Sequence, residues 1–320
     1  MRKTVIQLVA VVFALGMLVW LLNRIGWQTV GSALERVGWR GMALLAIYPI
    51  LETMLDGAAL WIIMGPPLKL GFAVAVNCAG SMLNLVVPWE SGEILKGGLL
   101  RKHFESAEAI SGTVIWNYIF RISRPAVSAL TAVLTWLFWR DLPRFTIGVI
   151  LAANAFAFLP YLVLRFAVRW GAARGLMKVL SKLPIVKRHP RHWVDLALDV
   201  DRRIQRFWQE RPRDYLKVFG LQVLARATGL AGIYTCFRLM DLPYTLVQAT
   251  GLYATMNVAE YVIAILPARV GVPEGSAYFV FKFLGLDPAT GVIVYVILRV
   301  RSLAANGLLT PFAFLRMNRG

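Results

Sequence analysis

One polar signature interrupts the apolar sequence twice. It runs from Asn84 through Pro88 and Gly92 to Glu93, and again from Ile265 through Pro267 and Gly271 to Glu274. Each copy breaks an apolar run with Pro-x-x-x-Gly and places a Glu just beyond it. An arginine then follows inside the next apolar run, Arg121 at 28 residues after Glu93 and Arg299 at 25 residues after Glu274. Backbone that leaves the helical ladder at membrane depth must be buried in protein or line a wet cavity. Broken segments at matching places in two halves of a chain therefore point to a transport site.

The setting of the breaks is a bilayer setting. Of 320 residues 58% are hydrophobic and 16% charged, which predicts an all-α polytopic membrane protein. The apolar runs 4–23, 41–64, 109–138, 144–166, 214–239 and 288–315 are each long enough to cross an apolar layer of about 30 Å. Arg2 and Lys3 precede the first run as they would in a signal peptide, but no small-x-small cleavage site follows, and it is read as a retained helix. The net charge of +18 does not indicate nucleic acid, because much of it lies in one segment between hydrophobic runs. There it reads as a topology signal and an attraction to anionic lipid. Cys78 and Cys236 lie far apart in apolar segments and read as buried small side chains.

Two regions are left, 68–106 and 243–286, and both read as re-entrant hairpins. The return arm from Glu93 to His103 is too polar to face lipid across a full bilayer. The return arm from Ser276 to Leu284 covers roughly 14 Å as a helix, about half the apolar layer. Thirteen Lys or Arg against four acids between Arg165 and Arg213 place that loop in the cytoplasm. Arg2, Lys3, Arg316 and Arg319 place both termini there too. Parity then makes 68–106 begin and end inside and 243–286 begin and end outside. Residues 1–140 and 141–320 form an inverted repeat on this reading, the second half carrying the basic cytoplasmic loop 167–213. Eight full spans give the same parity if both short arms cross.

The candidate site is an arginine-lined central cavity. Ser91 is placed to cap a helix starting near Gly92, and Gly271 to cap one with Pro273 in its first turn. Helix N-termini facing each other at the midplane favour an anion such as a lipid phosphate. Arg121, Arg124 and Arg299 supply guanidinium forks shaped for that group. Their alternative fate is neutralisation by Glu93 and Glu274 in structural ion pairs. The same two carboxyls could instead titrate and couple transport to a proton gradient. Glu52, Asp56, Glu260 and Arg226 also fall inside apolar segments and read as cavity or partner residues.

Residues Trp193, Leu196, Ala197, Val200, Ile204, Phe207 and Trp208 share one face of a helix expected in the cytoplasmic interface. His189 and His192 lack further ligands at metal spacing, and no nucleotide or nucleophile-elbow motif occurs. No cofactor or metal is expected.

The residues from Pro88 to Glu93 with Leu99-Leu-Arg-Lys, and from Leu266 to Glu274 with Leu284-Gly-Leu-Asp and Arg299, resemble the flippase-like integral membrane family. That family includes the transmembrane region of lysylphosphatidylglycerol synthases. The resemblance spans nearly the whole chain. It implies lipid translocation between leaflets of a bacterial inner membrane, with Asn84, Pro88, Gly92, Glu93, Pro267, Gly271 and Glu274 at the centre. Single-domain relatives of this length resemble membrane proteins associated with hopanoid synthesis, so a hopanoid or other polar lipid is an expected substrate. In the synthases a soluble aminoacyl-transferring domain follows the membrane part. Here the sequence reaches Gly320, and lysyl transfer by this polypeptide is not expected. Where the family's second copy is often glycine-rich, this chain has Ala268, Arg269 and Val270, which places Arg269 at the cavity mouth to favour an anionic head group. Two rival readings are a membrane-embedded head-group transferase using Glu93 or Glu274 as base, and a non-catalytic partner docking a lipid-synthesis enzyme on the basic loop.

Overall fold

The computed structural model describes residues 27–86, 91–159, 190–263 and 272–318, and among these every regular element is a helix. Ten helices follow one another: α1 (Trp27–Met64), α2 (Leu70–Val86), α3 (Ser91–Leu100), α4 (Ser106–Phe138), α5 (Arg144–Ala157), α6 (Pro190–Glu210), α7 (Pro212–Leu239), α8 (Leu246–Ile263), α9 (Val272–Phe283) and α10 (Pro288–Asn318). The expected run 4–23 lies outside the described residues. The run 41–64 is the longer part of α1, which bends at Gly38, where φ is 62°. Only glycine takes that backbone conformation at no steric cost.

Among the described residues three helices are long and apolar enough to cross a membrane: 28–64 within α1, 212–239 and 288–309. α4 has the length, at 33 residues, but Asn117, Arg121, Ser123 and Arg124 dilute its middle and it falls short on composition. α2 and α5 are apolar but shorter.

Among the described residues two large apolar clusters form, one toward each end of the bundle. The first gathers Leu60 and Met64 at the end of α1, Phe72 of α2, Leu100 at the end of α3, Ile115 of α4 and Val218 of α7. The second gathers Val37 of α1, Trp139 beyond α4, Phe237 of α7, Leu252 of α8, Phe281 of α9 and Ile297 of α10. The outer ends of α2 and α3 thus share one cluster, and those of α8 and α9 share the other. By helical rise α3 is about 15 Å long and α9 about 18 Å, each well short of a 30 Å apolar layer.

Between helices in lipid there is little hydrophobic drive, so close packing and hydrogen bonds hold the bundle. Small residues allow it. A Cβ on Gly57 of α1 would lie 2.6 Å from the Cα of Val74, and one on Gly291 of α10 would lie 2.9 Å from the carbonyl of Ala277. Hydrogen bonds add direction: Tyr48 and Thr235 hydroxyls meet at 2.7 Å across α1 and α7, and Thr135 and Thr250 meet at 3.1 Å across α4 and α8. The outer surface is apolar, with Ile94, Phe145, Phe156, Leu216 and Leu308 exposed.

The amphipathic helix α6 departs from the sequence expectation. Its face of Val200, Ile204 and Phe207 is buried in the first cluster, and α6 packs on α4 and α7. Its apolar face is therefore covered by protein and does not lie open to lipid. The side chain of Trp193 lies outside the described residues. Cys78 and Cys236 are buried free thiols, as expected.

Candidate functional site

A layer of charge lies buried between the helices. Arg226 of α7 is 4% exposed, and its Nη2 pairs with the carboxylate of Asp56 and, at 3.1 Å, with Oε1 of Glu52, both on α1. Asp56 lies one turn after Glu52, so a single guanidinium collects both acids from one helix face. The Tyr253 hydroxyl of α8 donates to the backbone carbonyl of Arg226 at 3.1 Å. Arg124 lies near enough for its charge to act on both Arg226 and Tyr253. Counted from the ends of α1 and α7 by helical rise, Asp56 and Arg226 are about 12 Å and 21 Å deep.

A second pair sits beside the first. Lys96 of α3 is 1% exposed, and its Nζ donates to Oε1 of Glu93 at 3.0 Å. The same ammonium lies 3.5 Å from the centre of the Trp116 ring. Trp116 stacks on Phe120, with centroids 5.0 Å apart, and Arg226 lies over Phe120 at 4.5 Å. Two neighbouring rings of α4 each hold one cation, the arrangement a ring quadrupole favours. The Trp116 Nε1–H then donates to the backbone carbonyl of Asp56 at 2.9 Å and ties the two pairs together.

The break between α2 and α3 positions this layer. The structure brings Asn84 of α2 to the start of α3, where its Oδ1 accepts the Gly92 N–H at 2.8 Å. A Cβ on Gly92 would lie 2.0 Å from the carbonyl of Gly80, and one on Gly80 would lie 2.5 Å from Lys96 Cε. The two glycines let α2 and α3 touch backbone to backbone, and the Lys96 stem runs through the notch. α9 starts at Val272 with Pro273 in its first turn, as expected.

The predicted site residues are only partly gathered here. Glu93 pairs with Lys96 and not with Arg121, whose Nε donates to Asn117 Oδ1 at 2.8 Å. The other carboxylate oxygen of Glu93 is buried without a hydrogen bond. On α10 the buried arginine is Arg301, 8% exposed, while Arg299 is only half-buried. Arg301 lies against Gly232 of α7, where a Cβ would come within 1.9 Å of its Nη1. Its Nε and Nη1 are buried with no hydrogen-bond partner. Pro88, Pro267, Arg269 and Gly271 lie outside the described residues, as do the side chains of Glu260 and Glu274.

A family model described as "Lysylphosphatidylglycerol synthase TM region" matches residues 7–309. The chain belongs to that family. The lysylphosphatidylglycerol synthase transmembrane region is a membrane domain linked to lipid synthesis or transport, which fits a bundle with an apolar surface and a charged interior. No curated protein and no solved structure matches the chain.

Sequence reading missed Lys96 and Arg301, and both had a signal. Gly92, Lys96 and Leu100 recur at four-residue spacing on α3, and all three are buried. Val294, Ile297, Leu298, Arg301 and Ala305 likewise make one buried stripe on α10. A charge inside such a stripe is an interior charge.

Proposed function

We propose that this chain is a flippase-type lipid transporter of the inner membrane rather than an enzyme. It passes a polar or anionic lipid, a phospholipid or a hopanoid-type lipid, between leaflets through the interior that Arg121, Arg124, Arg226, Arg299 and Arg301 approach. The carrying observation is the buried charge layer in which Arg226 holds Glu52 and Asp56 while Lys96 holds Glu93. Ionisable groups inside a membrane bundle are costly, and their usual role is to mark a substrate or ion path.

The packing supports two inverted halves, 1–140 and 141–320, with re-entrant hairpins at α2–α3 and α8–α9. α2 lies on α10 as α8 lies on α4, and α1 packs on α10 as α7 packs on α4. Rocking of one half against the other would expose the interior to each leaflet in turn.

The test is transbilayer movement of labelled anionic and neutral lipids in proteoliposomes, with and without a proton gradient. The native chain is compared with Arg121→Ala and Glu93→Gln, each checked for unchanged melting in detergent. Movement by the native chain that both variants lose supports the proposal. Movement no faster than in protein-free liposomes across the lipid panel overturns it.

A further inference from the structure

We infer that a cleft at the basic end of the bundle, between α6 and the ends of α1 and α4, docks the head group of a lipid bearing both a phosphate and a primary ammonium. The cleft has a volume of about 190 Å³, room for about six waters, and so suits a head group better than a single ion. Its floor is apolar, formed by Ile63, Met64, Ile115 and Phe207.

The charges around it divide into two kinds. Arg203 is engaged, with Asp199 at 3.2 Å, Glu105 at 3.4 Å and Glu108 at 3.8 Å. Arg211 is engaged too: it donates to the carbonyls of Ile62 and Ile63 at 2.7 and 2.9 Å, closing the end of α1, and pairs with Asp214 at 2.9 Å. Arg206 and Glu210 also line the cleft, one turn apart on α6 and exposed. Among the described residues neither makes an ion pair or hydrogen bond with the other or with a neighbour. Held apart over one cleft, they present a donor fork for a phosphate and an acceptor for an ammonium.

The inference deepens the lipid reading by naming a head-group class. Binding is measured with the full chain in detergent, where nothing crosses a bilayer, so its failure is distinct from a failure of transport. The probes are short-chain phosphatidylethanolamine, short-chain phosphatidylglycerol and free phosphoethanolamine, titrated by calorimetry against the native chain, Arg206→Gln and Glu210→Gln. Both substituted side chains are exposed and unpaired, so folding is not at stake. Phosphatidylethanolamine is expected to bind best. Arg206→Gln should weaken both lipids by roughly tenfold, the worth of a charge-assisted bond, and Glu210→Gln should weaken phosphatidylethanolamine alone. Equal binding of the two lipids, or indifference to both variants, overturns the assignment. Free phosphoethanolamine binding as well as the lipid overturns the membrane source.

Discussion

Asp56 and Arg226, 170 residues apart in sequence, are ion-paired in the interior and leave Nε of Arg226 and Oδ1 of Asp56 buried without hydrogen bonds. Such a pair is costly to split and cheap to remove whole. Arg226→Met, which strands Glu52 and Asp56 together, should cost about 3–5 kcal/mol in thermal unfolding in detergent. The double variant Asp56→Leu with Arg226→Met should regain most of that loss. A double variant as unstable as the single one would show that the pair stabilises through more than mutual neutralisation.

Gly92 should be the least replaceable residue of the first break. In Gly92→Ala the new methyl meets the Gly80 carbonyl, which is backbone and cannot turn aside, and overpacking of this kind costs about 1–3 kcal/mol. Gly97→Ala on the same helix is the matched control, since a Cβ there meets nothing closer than Thr113 Oγ1 at 3.7 Å. It should be neutral or gain up to about 1 kcal/mol from helix propensity. The two melting temperatures, measured side by side, check both statements.

Arg301 should behave as a functional charge and not as a structural one. Arg301→Met removes two buried, unpartnered N–H groups, so stability should hold or rise by about 1–3 kcal/mol. Lipid movement should fall in the same preparation. A loss of melting temperature as large as that of Arg226→Met would assign Arg301 to the scaffold.

Asp287 supplies a pH-dependent cap outside the spanning segment. Its carboxylate accepts from the Thr290 hydroxyl at 2.5 Å and from the Thr290 and Ala289 N–H groups at 3.0 and 3.3 Å. The Thr290 hydroxyl first, and those N–H groups with it, hold its pKa below the ordinary 3.8. A depressed folded-state pKa means stability that is present above the unfolded value and lost as pH falls through the folded one. Asp287→Ala should therefore cost about 1 kcal/mol near neutral pH, and the gap from native should close at the acid end of a melting series. A gap independent of pH would rule out the carboxylate as its source.

Much of this architecture could be read from residues. The all-helical bundle follows from the apolar runs, and the short α3 from the polar arm Glu93 to His103, which is too hydrophilic for a long apolar span. The interior place of Asp56 and Arg226 was legible too, because charge inside an apolar run has few other places to go, and Glu52 joins them from a partly exposed position. The partners were not legible. The alternative that paired Glu93 with an arginine did not foresee a lysine three residues along its own helix, which is the cation that reaches it. Arg299 was named for its place inside the apolar run, whereas the face of the helix decides burial and turns Arg301 inward. The cover over the apolar stripe of α6 was also out of reach, since a stripe fit for lipid is equally fit for α4 and α7.

The stacked pair Trp116 and Phe120 restricts how α4 can move. Both rings lie on one side of that helix, one holding Lys96 from α3 and the other Arg226 from α7. Turning α4 about its long axis would strip both cations in a single step. Sliding it lengthwise by one turn, about 5.4 Å, would carry Phe120 to the level Trp116 now occupies and keep an aromatic face there. The same slide would leave Arg226 without its ring, so both motions of this helix are opposed by the cations its rings hold.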